Sequence, residues 1–465
     1  MPHRSSLIDF WDRLRSSYWF VPAVMFVLAA LVAAGMLSID YGLAASPQKF
    51  HPWFPRFGAD AARATLSTLA SGLLTVTGVV FSLTIVALQL TSSQFGPRLL
   101  RSFMTNVGNQ LVLGTFTSSF IYCIIVIASI RGDGVFVPQL STAAGIALGV
   151  ADIAVLIYFI HHVATSIRIE TVMEMLIADL RDVIDVLFPQ EIGAAPADPD
   201  DAVRQIAQLP EEAWPVPAAS AGYIRHIDRE VLMHAATADD IVVRIEGRPG
   251  DFVVEGSALL HVVGKKELPD DVAGRLRQAV ILGPDRTPRQ DVNFAIRQLV
   301  EVALRALSPG INDPFTAIAC TNRLGEALCR AVRRAPVSPY RVDADGRVRV
   351  VAPPISMLAL LRMAFDPIAR AGGTNGDVAL VILQTVLMVA SCARSAADRR
   401  LIVDFAQDLK QQLDGQLQLE RDRATIGERF TTALTMLANA EADQPEDGTT
   451  PGAARQPLRF DTEAV

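Results

Sequence analysis

Residues 65–90, TLSTLASGLLTVTGVVFSLTIVALQL, run for 26 positions without one charged side chain. As a helix this stretch reaches about 39 Å, more than the roughly 30 Å hydrocarbon core of a bilayer. Three further runs of similar character lie at 18–39, 111–130 and about 140–163. Together they predict four transmembrane helices within the first 165 residues. The composition agrees: mean hydropathy is +0.31, and only 20% of residues are charged, against about a quarter in soluble domains. A purely soluble enzyme is excluded. A net charge of -7 and a pI near 5.6 exclude bulk nucleic-acid binding, and no long basic stripe overrides them.

The first run also has features of a signal peptide. Arg4, Arg13 and Arg15 precede it and Leu43-Ala44-Ala45 follow it. It is longer than the usual apolar region of such peptides, about 7–15 residues, so an uncleaved helix is expected. The positive charges orient the bundle. Arg4, Arg13, Arg15, Arg98, Arg101, Arg168 and Arg181 fall on one side; Lys49, Arg56, Arg63 and Arg131 fall on the other. The excess on the first side places both termini in the cytosol.

Two membrane features go beyond anchoring. In the second helix Thr68, Ser71, Thr75, Gly78, Ser82, Ile85, Gln89 and Ser92 share one stripe at helical spacing, opposite Leu66, Leu69, Leu73, Val76, Val80, Leu83, Ala87 and Leu90. Small and hydroxyl residues at this period serve close helix packing, and they equally suit a wet pore. Arg98 and Arg101 then stand at its cytosolic mouth. In the fourth helix Asp152 sits near the middle of the run, on one face with Gly145 and Gly149, which form a G-x-x-x-G packing motif. An intramembrane carboxyl is costly and faces protein or water. Two readings stand: a structural hydrogen bond, for which the hydroxyl side of the second helix is the nominated partner, or a proton or cation relay.

The rest of the chain reads as a mixed cytosolic region. An amphipathic helix and a Pro-rich linker occupy 166–219, with a short helix near 200–208. Short β-rich runs at 223–227, 241–245, 252–254 and 259–263, separated by glycine turns, predict a small β barrel or sandwich over 220–285. The turn starting at Pro249-Gly250-Asp251 resembles that of biotinyl/lipoyl-like modules. No lysine occupies the hairpin position that carries their cofactor, so no cofactor is expected. A mainly helical domain with one hairpin around Asp345-Gly346 follows over 286–440. Asp313 caps one of its helices, with Pro314 in the first turn. The apolar run at 378–393 is too short to span and reads as a buried helix. Residues 441–465 read as a disordered tail.

Several stretches carry a family resemblance: Phe81-Ser82-Leu83, Gln89 through Phe95, Pro97 through Leu100, Gln290-Asp291, and the string Ala306 to Ala317, which contains Ser308-Pro309-Gly310-Ile311-Asn312-Asp313-Pro314-Phe315-Thr316. They resemble the bacterial predicted membrane proteins grouped as domain of unknown function 2254. The resemblance covers most of residues 10–435. It implies a bacterial inner-membrane protein and brings no activity or catalytic residue.

The sequence holds no Walker loop, G-x-S-x-G elbow, H-E-x-x-H or kinase set, so an enzymatic reading has no residues to rest on. Cys123, Cys320, Cys329 and Cys392 form no C-x-x-C pair and read as packed, reduced thiols, with no metal site expected. Two function classes remain. One is an oligomeric channel with a cytosolic regulatory domain. The other is a membrane-anchored sensor or scaffold. The expected partners are the lipid bilayer and further copies of the chain, with no nucleic acid and no identified protein partner.

Overall fold

A computed structural model describes residues 19–44, 57–96, 107–131, 136–166, 168–187, 199–210, 212–264, 267–334, 338–353 and 355–442. Arg98, Arg101 and the tail from 443 onward lie outside the described residues. The chain divides into two compact units, Met1–Val172 and Met173–Val465.

The first unit contains four apolar helices: α1 (Phe20–Ala44), α2 (Ala59–Phe95), α3 (Val107–Ser129) and α4 (Gln139–Ser166). All four are long and apolar enough to cross a membrane. α2 has 37 residues, about 55 Å of helix, so part of it extends beyond any bilayer core. α3 packs against each of the other three. Its Phe116, Tyr122, Cys123 and Val126 are buried with Leu66, Leu73 and Val80 of α2 and Phe159 of α4. Small residues set the closest approaches. A Cβ at Gly114 would lie 2.5 Å from Met25 Sδ of α1. Cβ atoms at Gly145 and Gly149 would lie 2.7 and 2.8 Å from Leu66 and Leu69 of α2. The two glycines of the G-x-x-x-G motif thus lie against leucines of α2.

One end of this bundle is tied by polar bonds. Asp40 accepts from Leu140 N (3.0 Å), Ser141 N (2.8 Å) and Ser141 Oγ (2.6 Å), so a carboxylate satisfies the open amides at the start of α4. At the same end Arg63 Nη2 donates to Ile130 O (3.1 Å), and the Gln139 amide exchanges hydrogen bonds with the Phe57 backbone.

The boundary between the units falls inside α5 (Ile169–Leu187). The second unit then contains α6 (Pro199–Ala207), β1 (Ala213–Pro217), β2 (Gly222–Ile227), α7 (Arg229–Ala238), β3 (Val242–Ile245), β4 (Phe252–Val253), β5 (Ala258–Val263), α8 (Asp270–Gln278) and β6 (Val280–Gly283). The strands form two sheets. One is three-stranded, in the order β4-β2-β6, and antiparallel. The other is five-stranded and includes β7 (Tyr340–Val342) and β8 (Val348–Val351), in the order β1-β5-β3-β8-β7. β3 and β8 run parallel, with Val243 opposite Val350. The larger sheet thus takes β1 from before residue 220 and a hairpin from far beyond residue 285. Its buried strand faces pack with Leu232 of α7 and Leu276 of α8.

Six helices complete the unit: α9 (Val292–Ala306), α10 (Pro314–Val332), α11 (Met357–Gly372), α12 (Gly376–Cys392), α13 (Ala396–Asp414) and α14 (Glu420–Ala442). Side chains cap the first five of these: Asp291, Asp313, Ser356, Asn375 and Ser395. Each such cap contributes about 1 kcal/mol. The apolar α12 is buried against α10, α11, α13 and α14, as its length predicts. Gly325 of α10 is the space into which Thr385 of α12 fits, since a Cβ there would lie 2.1 Å from Thr385 Cγ2. All four cysteines are buried and unbridged.

Candidate functional site

The sequence singled out two sets of membrane residues. The stripe of α2 is exposed on the single chain: Thr68, Ser71, Thr75, Ser82 and Gln89 all point away from the bundle. Thr68 Oγ1 donates to Ala64 O (2.8 Å) and Thr75 Oγ1 to Ser71 O (2.9 Å), so these hydroxyls are satisfied within their own helix. The leucine side of α2 is the side that packs.

That orientation corrects the nominated partner of Asp152. Asp152 is 3% exposed, and its Oδ1 accepts a hydrogen bond from Ser119 Oγ of α3 at 3.2 Å. No hydroxyl of α2 is involved, because Gly145 and Gly149 bring the leucine face of α2 against α4. Asp152 Oδ2 is buried without a partner among the described residues. The arrangement is a buried hydrogen bond between neighbouring helices.

The family string at 308–316 forms the elbow between α9 and α10. Asp313 accepts from Thr316 N (3.1 Å) and Thr316 Oγ1 (2.6 Å), and Pro314 opens α10. Asn312 turns the chain at φ +49, and its amide donates to Ser308 O (2.8 Å). Pro309 and Gly310 are exposed, as are Ile311 (50%) and Phe315 (78%). The string is a capped surface turn.

The most site-like geometry lies elsewhere in the second unit. A partly open cavity of about 120 Å³ is lined by the end of α5, the starts of α7 and α9, the turn Gly247-Arg248-Pro249, and the segments flanking the β7–β8 hairpin. Most of its wall is apolar: Leu187, Ile227, Leu232, Ile245, Val292, Val350, Pro353 and Ile355. The polar lining is Arg229, Arg248, Gln290, Asp291, Asn293, Ser338 and Arg341. Predominantly apolar walls with a few placed polar groups are typical of ligand pockets.

Local bonds hold these groups in place. Gln290 Oε1 accepts from Ile227 N (3.0 Å), tying the loop before α9 to β2. Asp291 is 2% exposed. It caps α9 through Phe294 N (2.9 Å) and takes a two-pronged bond from Arg286, Nε at 2.8 Å and Nη2 at 2.9 Å. Burial pushes the Asp291 carboxyl up, the Phe294 amide and Arg286 pull it back, and the net displacement is upward. Gly250 makes room for this pair: it adopts φ +96, and a Cβ there would lie 2.1 Å from Asp291 Oδ2. Arg229 Nη1 donates to Val186 O at the end of α5 (3.2 Å). Arg341, 6% exposed, donates from Nη1 to Tyr340 O (2.9 Å) and to Ser338 O.

Of these residues the sequence had marked Gln290 and Asp291, through the family resemblance, and the turn starting at Pro249-Gly250-Asp251. Arg229 and Arg341 are over a hundred positions apart and carry no motif. They come together because the β7–β8 hairpin pairs with β3, beside which α7 packs.

The profile of a family described as "Predicted membrane protein (DUF2254)" matches residues 15–388 of the chain. An uncharacterised protein of Mycobacterium bovis and two of Mycobacterium tuberculosis are each 33% identical to it over 336 residues. Each alignment covers 71% of this chain and 64% of the relative, so the chain spans a little under two thirds of these relatives' length. No solved structure matches.

Proposed function

This chain belongs to the DUF2254 family of predicted membrane proteins, and we propose from that premise that it is a membrane-anchored sensor whose second unit binds a small ligand. The cavity between α5, α7, α9 and the β7–β8 hairpin carries the reading. α5 starts three residues after α4 ends, and its last residue, Leu187, lines the cavity. A ligand there touches the far end of the helix that follows the fourth span in the chain. In this reading the bundle anchors the protein in the bacterial inner membrane, with both termini and the cavity on the cytosolic side.

The test is a thermal-shift screen of the full chain in mild detergent against small metabolites, with Ala352→Phe as the filled-cavity control. Ala352 is a half-buried lining residue, so the larger ring projects into the space. Compounds that stabilise the wild type and leave Ala352→Phe unmoved support the reading. A wild type that responds to nothing, or a variant that responds equally, rejects it.

The exposed stripe of α2 favours a second reading, assembly of copies into a conducting homo-oligomer with Arg98 and Arg101 at its mouth. Hydroxyl and small residues presented outward suit a helix–helix contact better than lipid. Purified protein recorded in a planar bilayer tests it: single-channel current that Thr75→Leu and Ser82→Leu abolish supports conduction, and a silent bilayer rejects it.

A further inference from the structure

Two cationic side chains of the cavity wall, Arg229 and Arg341, have no carboxylate partner among the described residues, and the acid in the lining is Asp291. That acid is already engaged by Arg286 and by the first turn of α9. Arg341 is more than nine-tenths buried, yet only its Nη1 is occupied, by two backbone carbonyls. Its Nε and Nη2 have no partner among the described residues, and neither Arg229 nor Arg341 has a carboxylate partner there. Burial lowers the basicity of both guanidiniums, and the charge of Arg229 lowers that of Arg341 further, so the two charges sense each other. Two helices, α7 and α9, also begin at this cavity, their first turns capped by Asp228 and Asp291. Buried like charges without counter-charges are costly, and an anion seated between them removes that cost.

We infer that the cavity takes a small organic anion, a carboxylate or phosphate monoester on a compact apolar body, with Arg229 and Arg341 reading the charged head. This rests on the proposed reading of the cavity as a ligand site and specifies its chemistry. Planar guanidiniums grip carboxylate or phosphate oxygens in pairs, which a lysine cannot do. The remaining wall, including Leu232, Ile245 and Ile355, accepts an apolar body. The size follows from the volume. A dry cavity of about 150 Å³ holds benzene, so a partly open space of about 120 Å³ suits a body of roughly one ring or a short branched chain.

The experiment uses the full chain in mild detergent, with calorimetry and thermal shift. The probes are benzoate and phenyl phosphate, against the neutral benzamide and benzyl alcohol. The expected result is that at least one anion binds ten-fold or more tightly than its neutral counterpart. Added chloride should weaken it, and Arg341→Met should reduce anion binding at least ten-fold while leaving benzyl alcohol unchanged. Arg229→Gln, at a less buried position, gives the same comparison should Arg341→Met not fold. Neutral probes binding as well as anions, or anion binding surviving in the folded variants, overturns the inference and leaves the cavity as a ligand site. If no probe of either kind binds the wild type, the inference and the sensor reading both fall.

Discussion

Gly250→Ala should destabilise the second unit through two separable effects, and Gly256→Ala isolates one of them. Both glycines lie in the left-handed region, at φ +96 and +83. An alanine in that conformation costs roughly 1–2 kcal/mol at either site. At Gly256 nothing lies within 4 Å of the new Cβ, so the backbone term is the whole effect. At Gly250 the Cβ would sit 2.1 Å from Asp291 Oδ2, 2.5 Å from Asp291 Cγ and 2.7 Å from Arg286 Nη2. Asp291 is held on three sides and cannot retreat without losing its Arg286 bonds or its cap on α9. Losing part of that network, with a buried carboxylate, adds roughly 1–3 kcal/mol. The expected totals are about 1–2 kcal/mol for Gly256→Ala and about 2–5 kcal/mol for Gly250→Ala. At about 2 °C per kcal/mol for a large unit, the two midpoints should fall about 2–4 and 4–10 °C below wild type. The assay is thermal unfolding of the full chain in detergent, followed by circular dichroism. Equal losses for the two variants would refute the account of Gly250 as the space that seats Asp291.

Three further outcomes follow from the structure. Asp40→Asn should lower the unfolding midpoint of the detergent-solubilised bundle more than Asp152→Asn: Asp40 accepts three bonds with two oxygens and Asp152 accepts one, which an amide oxygen retains. Gly149→Leu should destabilise the bundle by about 1–3 kcal/mol, because overpacking forces α2 from α4, while Gly72→Leu, with nothing within 4 Å, should leave the same denaturation curve unmoved. In acid the second unit should lose the tie between α5 and α10. The Arg330 hydrogen bond, aided by Arg334 and opposed by partial burial, holds the Asp185 carboxyl below its ordinary range. A depressed carboxyl contributes stability above its unfolded value of about 3.9 and loses it as pH falls through the folded value. A pH titration of unfolding should therefore show a loss below about pH 4 that Asp185→Asn removes.

Local signals in the sequence were sufficient for elements and insufficient for their partners. The four spans, the short helix near 200, the strand runs, the hairpin at Asp345-Gly346 and the cap at Asp313 all follow from period, length and cap chemistry within a few residues. Other features depend on distant pairings. Residues 213–217, AWPVP, contain two prolines and read as linker, yet they form an edge strand. An edge tolerates proline, and β5 supplies the ladder. α7 and α8 are short, with 10 and 9 residues, and take much of their stability from packing on the sheet. The stripe on α2 was visible; which of its faces packs was not, because Gly145 and Gly149 of another helix decide that.

The same logic explains why the site was hidden while the family string was conspicuous. A string such as Ser308 to Thr316 is legible because one turn needs all its parts in one place: a positive φ at Asn312, a cap at Asp313 and a proline in the first turn. The turn is completed locally, by bonds from Asn312 to Ser308 and from Thr316 to Asp313. Arg229 and Arg341 have the opposite character. Each is an ordinary surface residue by local pattern, one in the first turn of a short helix and one in a three-residue strand. What makes them unusual is a shared cavity wall, with Arg341 buried and Arg229 half-buried, and that is created by the parallel pairing of β3 with β8. An arginine has five donors to satisfy; where tertiary structure offers carbonyls to only part of the group, the remaining donors face whatever enters. The charge pattern around the cavity is therefore a property of the sheet topology and not of any segment of the chain.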